Sequence, residues 1–84
     1  MEEPDTERIV IHHLAEVVEM ELDDIHESHA IVEDLGADTD DLSFLFIPSV
    51  EDALRVKLTP QEWSRVHTVR DAIDALRNAR ERSL

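Results

Sequence analysis

Thr59-Pro60-Gln61-Glu62-Trp63-Ser64-Arg65-Val66-His67-Thr68-Val69-Arg70-Asp71 holds two helix beginnings within 13 residues. In the first, Thr59 is a good N-cap, Pro60 takes the first helical position, and Glu62 stands where a capping box needs its carboxylate. In the second, Thr68 and Asp71 repeat that spacing. The pattern predicts a short helix holding Trp63 and Val66. A final helix follows, with Val69, Ala72, Ile73 and Leu76 on its inner face. Arg77, Arg80 and Arg82 close it, where positive charge suits the C-terminal end of a helix dipole.

Upstream, Leu42-Ser43-Phe44-Leu45-Phe46-Ile47 is the most hydrophobic run and contains both phenylalanines. Pro48 interrupts it, and a proline inside a helix costs roughly 3 kcal/mol. Its ring also pushes Ile47 away from helical angles. Ser49-Val50-Glu51-Asp52 resembles a capped restart with Ser49 as N-cap. The expectation is a short helix near 40–47 and a second near 49–56, or one sharply kinked helix. Phe46 is expected to point inward and Phe44 outward.

A first helix is expected from about Thr6 to Glu21, capped by Asp5 or Thr6. Val10, Leu14, Val17 and Val18 form its apolar stripe, flanked by Ile11, with Glu7, Glu16 and Glu19 outside. From Leu22 to Thr39 the apolar residues Ile25, Ile31 and Leu35 are isolated, as in a long loop pinned to a core at a few points. Gly36, the sole glycine, marks either a positive φ or a place where a side chain would clash.

The composition fits this helical order. Eighty-four residues make one domain, 1–84, with a core spanning about 6–78. With 42% hydrophobic residues the chain has enough for a modest core, and without cysteine it has no disulfide or thiolate site. No apolar run approaches the ~20 residues of a membrane span. The acidic start Met1-Glu2-Glu3-Pro4-Asp5 is unlike a signal peptide, so a cytoplasmic protein is expected. The net charge of −13 is unevenly spread: residues 1–53 hold 17 Asp/Glu against Arg8 alone, residues 54–84 four against seven bases. Such a field repels nucleic acid and anionic membranes and steers basic protein patches inward. Simple solubility, or mimicry of nucleic acid, would produce a similar composition.

The order of long helix, long loop, central helix, short helix and final helix is similar to that of the acyl carrier proteins. Ile31-Val32-Glu33-Asp34-Leu35-Gly36-Ala37-Asp38 resembles the stretch leading into that family's modification site. Val50-Glu51-Asp52-Ala53-Leu54 occupies the place of the acidic second half of its recognition helix. Leu58-Thr59-Pro60 resembles the approach to its third helix, and His67-Thr68-Val69-Arg70-Asp71-Ala72-Ile73-Asp74 the start of its last. The resemblance covers roughly residues 9–76. It implies an all-α, four-helix bundle with a long first loop and a second helix kinked or split at Pro48.

In that family a serine after Gly-x-Asp accepts 4′-phosphopantetheine, whose thiol carries an acyl group, and the pattern reads Gly-x-Asp-Ser-Leu. Here the chain reads Gly36-Ala37-Asp38-Thr39-Asp40. The spacing to the third helix is one residue longer than the pattern, placing an insertion near 39–42. The extra methyl of Thr39 crowds attack on a phosphate and stiffens χ1. Asp40 and Asp41 oppose an anionic phosphodiester. Ser43, the only nearby serine, lies inside the apolar run, where a transferase would reach it with difficulty.

These departures point to a non-enzymatic, acyl-carrier-like module without a prosthetic group, working through an acidic docking face. Its contact candidates are Glu33, Asp34, Asp38, Asp40, Asp41, Glu51 and Asp52. The partner implied is a synthase- or transferase-like enzyme with a basic patch, bound by a monomer or by a weak dimer joined through residues 42–47. The alternative implied by the resemblance is a working carrier with 4′-phosphopantetheine on Thr39 or, less well placed, Ser43. A third reading is an acidic nucleic-acid mimic.

No catalytic constellation is legible: Thr39, Ser43 and Ser49 have no histidine at local spacing, and no glycine-rich phosphate cradle exists. Of the five histidines, His12 and His13 are adjacent and diverge on a helix, while His26 and His29 supply two ligands where structural zinc takes four. No metal site is expected. Trp63 reads as a core or rim residue.

Overall fold

Residues 5–82 are described by a computed structural model. The acidic segment Met1–Pro4, on which part of the expected location rests, lies outside the described residues.

The first helix, α1, runs Thr6–Val18, and Asp5 caps it by accepting from the Arg8 N–H at 3.4 Å. It ends earlier than its apolar stripe predicts. Glu19 turns left-handed at φ 57°, and the N–H of Met20 closes back onto the Ala15 carbonyl at 3.1 Å. Val10 and Leu14 are buried as expected, whereas Val17 and Val18 are half-buried.

A short 3₁₀ turn, Leu22–Asp24, opens the long connection, and Ile25, Ile31 and Leu35 anchor it in the core. Its second half is a helical turn with a defined end. The Gly36 N–H bonds the Val32 carbonyl at 3.1 Å, the 5→1 bond of an αL cap, and the Ala37 N–H bonds the Ile31 carbonyl at 3.2 Å. Gly36 has φ 72°, and a Cβ there would meet nothing within 4 Å. The left-handed backbone, rather than crowding, is what calls for glycine.

The second helix, α2, spans residues 39–54 as three joined segments: Thr39–Asp41, a widened π-type stretch Leu42–Phe46, and Ile47–Leu54. Two expectations fail here. Ile47 stays helical at φ −59°, ψ −51°, and Ser49 lies inside the helix rather than capping a restart. The widened turn explains both. Pro48 has no N–H to donate and its ring crowds the carbonyl of Phe44, one turn back. The Ile47 N–H reaches Leu42, five residues back, so the turn opens and the chain passes Pro48 without leaving helical angles.

The third helix, α3, is Pro60–Ser64, with the capping box complete: Thr59 Oγ1 accepts from the Glu62 N–H and Glu62 Oε1 from the Thr59 N–H, both at 3.1 Å. The last, α4, is Val69–Arg82, and buries Val69, Ala72, Ile73, Leu76 and also Ala79. Thr68 and Asp71 bond reciprocally at its start, each at 3.1 Å. Arg80 Nη1 reaches back to the buried Thr6 Oγ1 at 3.0 Å, joining the end of α4 to the beginning of α1.

The described residues are therefore mostly helical, with four helices among them, and buried residues run from Thr6 to Ala79. Phe46, Leu14, Leu76, Val10, Val50 and Val69 are its most deeply buried large side chains. The only extended pairing among the described residues is an isolated antiparallel bridge between Ala30 and Thr68. No helix among them is long and apolar enough to cross a membrane.

Two predictions follow from this packing. Phe46 is 1% exposed and Phe44 76%. Phe46→Ala should cost ~3–5 kcal/mol, close to the ~5 kcal/mol a small domain has in total, and Phe44→Ala well under 1 kcal/mol, both read by urea unfolding. The N–H groups of Thr68 and His67 hold the Asp71 carboxyl below its ordinary range. A carboxyl lowered by folding adds stability above its unfolded pKa and loses it as pH falls through the folded one. Asp71→Asn should therefore lower the melting temperature at neutral pH and make no difference in strong acid.

Candidate functional site

Thr39 takes the first helical position of α2, where Asp38 caps the helix by accepting from the Asp40 N–H at 2.8 Å. The Thr39 side chain is exposed, and so is Ser43, one turn on. The apolar run does not hide Ser43: within it Phe46 is buried, Leu42 and Ile47 are half-buried, and Phe44 and Leu45 face solvent.

Thr39 and Ser43 both border a cleft of about 480 Å³ between the long loop, α2 and α3. Ile31, Leu42, Phe46, Ile47, Trp63 and Val66 form most of its wall. Phe46 and Trp63 meet edge to face, with centroids 6.1 Å apart and planes at 76°. Phe46 is thus buried without filling the space beside it. Glu33 and His67 are the charged or titratable residues of the lining.

The seven acids proposed from sequence separate into two groups. Asp34 Oδ2 accepts from the Ala30 N–H at 2.7 Å and holds the loop turn, and Asp38 is the α2 cap. Glu51 is half-buried, and its Oε2 accepts from both the Leu58 N–H at 2.9 Å and the Trp63 Nε1–H at 3.2 Å. That carboxylate joins α2 to α3 and fixes the indole that walls the cleft. Glu33, Asp40, Asp41 and Asp52 are exposed, and their carboxylates have no partner among the described residues.

Sequence reasoning did not find the role of Glu51, because its partners lie 7 and 12 residues away with no local pattern linking them. It also did not bring Ile31, Val66 and His67 to the cleft. A signal for them was present in the apolar anchor Ile31 and the helix-start motif at His67. The two meet through the Ile31 N–H on the His67 carbonyl at 2.8 Å.

The histidines do not assemble. His26 and His29 have ring centroids 5.1 Å apart, and His29 Nδ1 accepts from the His26 N–H at 3.1 Å. Among the described residues no group of three or more His, Asp or Glu side chains is placed to hold a metal ion. No family model matches this chain, and no curated protein matches it either.

The division among the acids has a direct test. Glu51→Lys should destabilise the fold by about 1–3 kcal/mol, through two lost bonds and a half-buried wrong charge, and change Trp63 emission. Asp52→Lys should leave both within about 0.5 kcal/mol of the parent, measured by urea unfolding followed by fluorescence.

Proposed function

We propose that this protein is a non-enzymatic, acyl-carrier-like helical module that docks on a basic protein surface and carries no prosthetic group. The observation that carries this reading is the setting of Thr39. The hydroxyl lies on the helix start where the resemblance puts the attachment serine, but between the capping Asp38 and the exposed, unpaired Asp40 and Asp41. A phosphodiester formed there would stand close to two carboxylates, Asp40 and Asp41, that the resembled pattern lacks. The same unpaired charges suit a cationic partner, with Glu33 and Asp52 adding to them. Phe44 and Leu45, 76% and 54% exposed on α2, supply apolar contact for such an interface.

A working carrier is the second reading, and one observation favours it: both hydroxyls, Thr39 and Ser43, border an apolar cleft able to shelter an attached chain. Intact mass after co-expression with a broad-specificity phosphopantetheinyl transferase separates the two. The mass should be unchanged, Thr39→Ser alone should load poorly, and Thr39→Ser with Asp40→Leu should load well. A phosphopantetheine adduct on the parent protein, mapped to Thr39 or Ser43, would establish the carrier instead.

A further inference from the structure

A docking module that carries no arm still has an open apolar cleft of about 480 Å³, within the ~300–1,000 Å³ of ordinary ligand pockets. Its rim decides which chemistry enters. No lysine or arginine lines it, Glu33 does, and Asp40 directly follows the lining residue Thr39. A ligand ending in carboxylate or phosphate would bring its negative charge to an acidic mouth with no cation to receive it. Basic groups around an apolar body would find complementary charge.

The apolar surface also continues past the cleft. Val32 lines it yet remains 47% exposed, and Phe44, next to the lining residue Ser43, is 76% exposed. A single small amphiphile filling the cleft would leave these side chains in water, whereas a protein segment lying across the mouth would cover them.

We infer that the cleft is the seat of one apolar anchor side chain from the partner protein, on a segment whose neighbouring residues are Arg or Lys. The inference rests on the docking reading above and adds where the partner inserts and what it inserts. Phe46 and Trp63 meet edge to face in the wall and offer ring contacts to an aromatic or aliphatic anchor. Glu33 and Asp40 receive the flanking cations, which speed encounter and set orientation.

Trp63 is the only tryptophan, so its emission reports occupation of the cleft. The probes are tryptophan-free helical peptides with one central Phe, Leu or Ala flanked by arginines, and the same peptides with glutamate in place of each arginine. The Phe and Leu peptides should shift Trp63 emission saturably, and the Ala and glutamate peptides should not. Thr39→Phe, which narrows the mouth from an exposed position, should weaken the Phe peptide about tenfold or more. Glu33→Lys should slow its association about as strongly at low salt. Circular dichroism checks that both variants fold, and dodecanoate should not displace the peptide.

Binding that resists Thr39→Phe but falls with salt would keep the docking face and overturn the cleft as its seat. Equal binding of the glutamate peptides, displacement by dodecanoate, or no emission change with any arginine peptide would each overturn the inference. None of these outcomes requires a phosphopantetheine adduct, the result that would overturn the underlying reading.

Discussion

The backbone over residues 39–54 has to pass a proline without leaving the helix, and the widened turn at Leu42–Phe46 is how it does so. Much else depends on that turn. Within it Phe46 enters the core while Phe44 and Leu45 remain in water. It also sets the rotation of the rest of the helix, so that Val50 and Leu54 are buried and Glu51 faces the link into α3. A helix broken at Pro48 would have freed the two halves to choose separate orientations. Glu51, which lies beyond Pro48, would then no longer hold Trp63 in a fixed place against the Phe46 side of the cleft.

The other wall depends on a loop that holds its form by hydrogen bonds to a distant helix start. The Ile31 N–H bonds the His67 carbonyl, the Val69 N–H bonds the His29 carbonyl at 3.0 Å, and the Arg70 N–H bonds the Glu27 carbonyl at 2.9 Å. First-turn N–H groups of α4, which have no partner inside their own helix, are in this way satisfied by the loop. The loop gains a template and α4 gains a cap beyond its Thr68–Asp71 box. The left-handed turn at Gly36 then redirects the chain just before Asp38 and leads Thr39 to the cleft.

How much of this was legible in the sequence divides along the range of the interactions. Helix beginnings were legible because caps act over three residues: Asp5, the Thr59–Glu62 box and the Thr68–Asp71 box all stand where their spacing puts them. Inward faces were legible from periodicity, including all four residues expected inside α4. Pro48 was read as a break or a sharp kink because its cost in an ordinary α-turn was taken as fixed, whereas a wider turn avoids the clash. Glu51 was misread for a different reason. An acid among acids looks like surface charge until the fold brings the Leu58 N–H and the Trp63 indole to it.

The case of Glu51 bears on how an acidic protein is to be understood. Twenty-one acidic residues and a net charge of −13 invite the idea that the whole acid-rich half is one interaction surface. The structure shows several of those carboxylates already occupied: Asp5, Asp34, Asp38, Glu62 and Asp71 accept backbone N–H groups at turns and helix starts. Others meet arginines at the surface, Glu27 with Arg70 at 2.9 Å and Glu62 with Arg82 at 2.8 Å, exposed pairs that add little stability. An occupied carboxylate is costly to reassign, because a partner would have to replace the bond it already makes. Only unoccupied ones present their full charge to a newcomer at no such cost. Glu33, Asp40, Asp41 and Asp52 are of that kind, and Glu33 lines the apolar cleft. Composition alone does not divide these acids; among the seven candidates the hydrogen bonds separate Asp34, Asp38 and Glu51, which hold the fold, from Glu33, Asp40, Asp41 and Asp52, which do not.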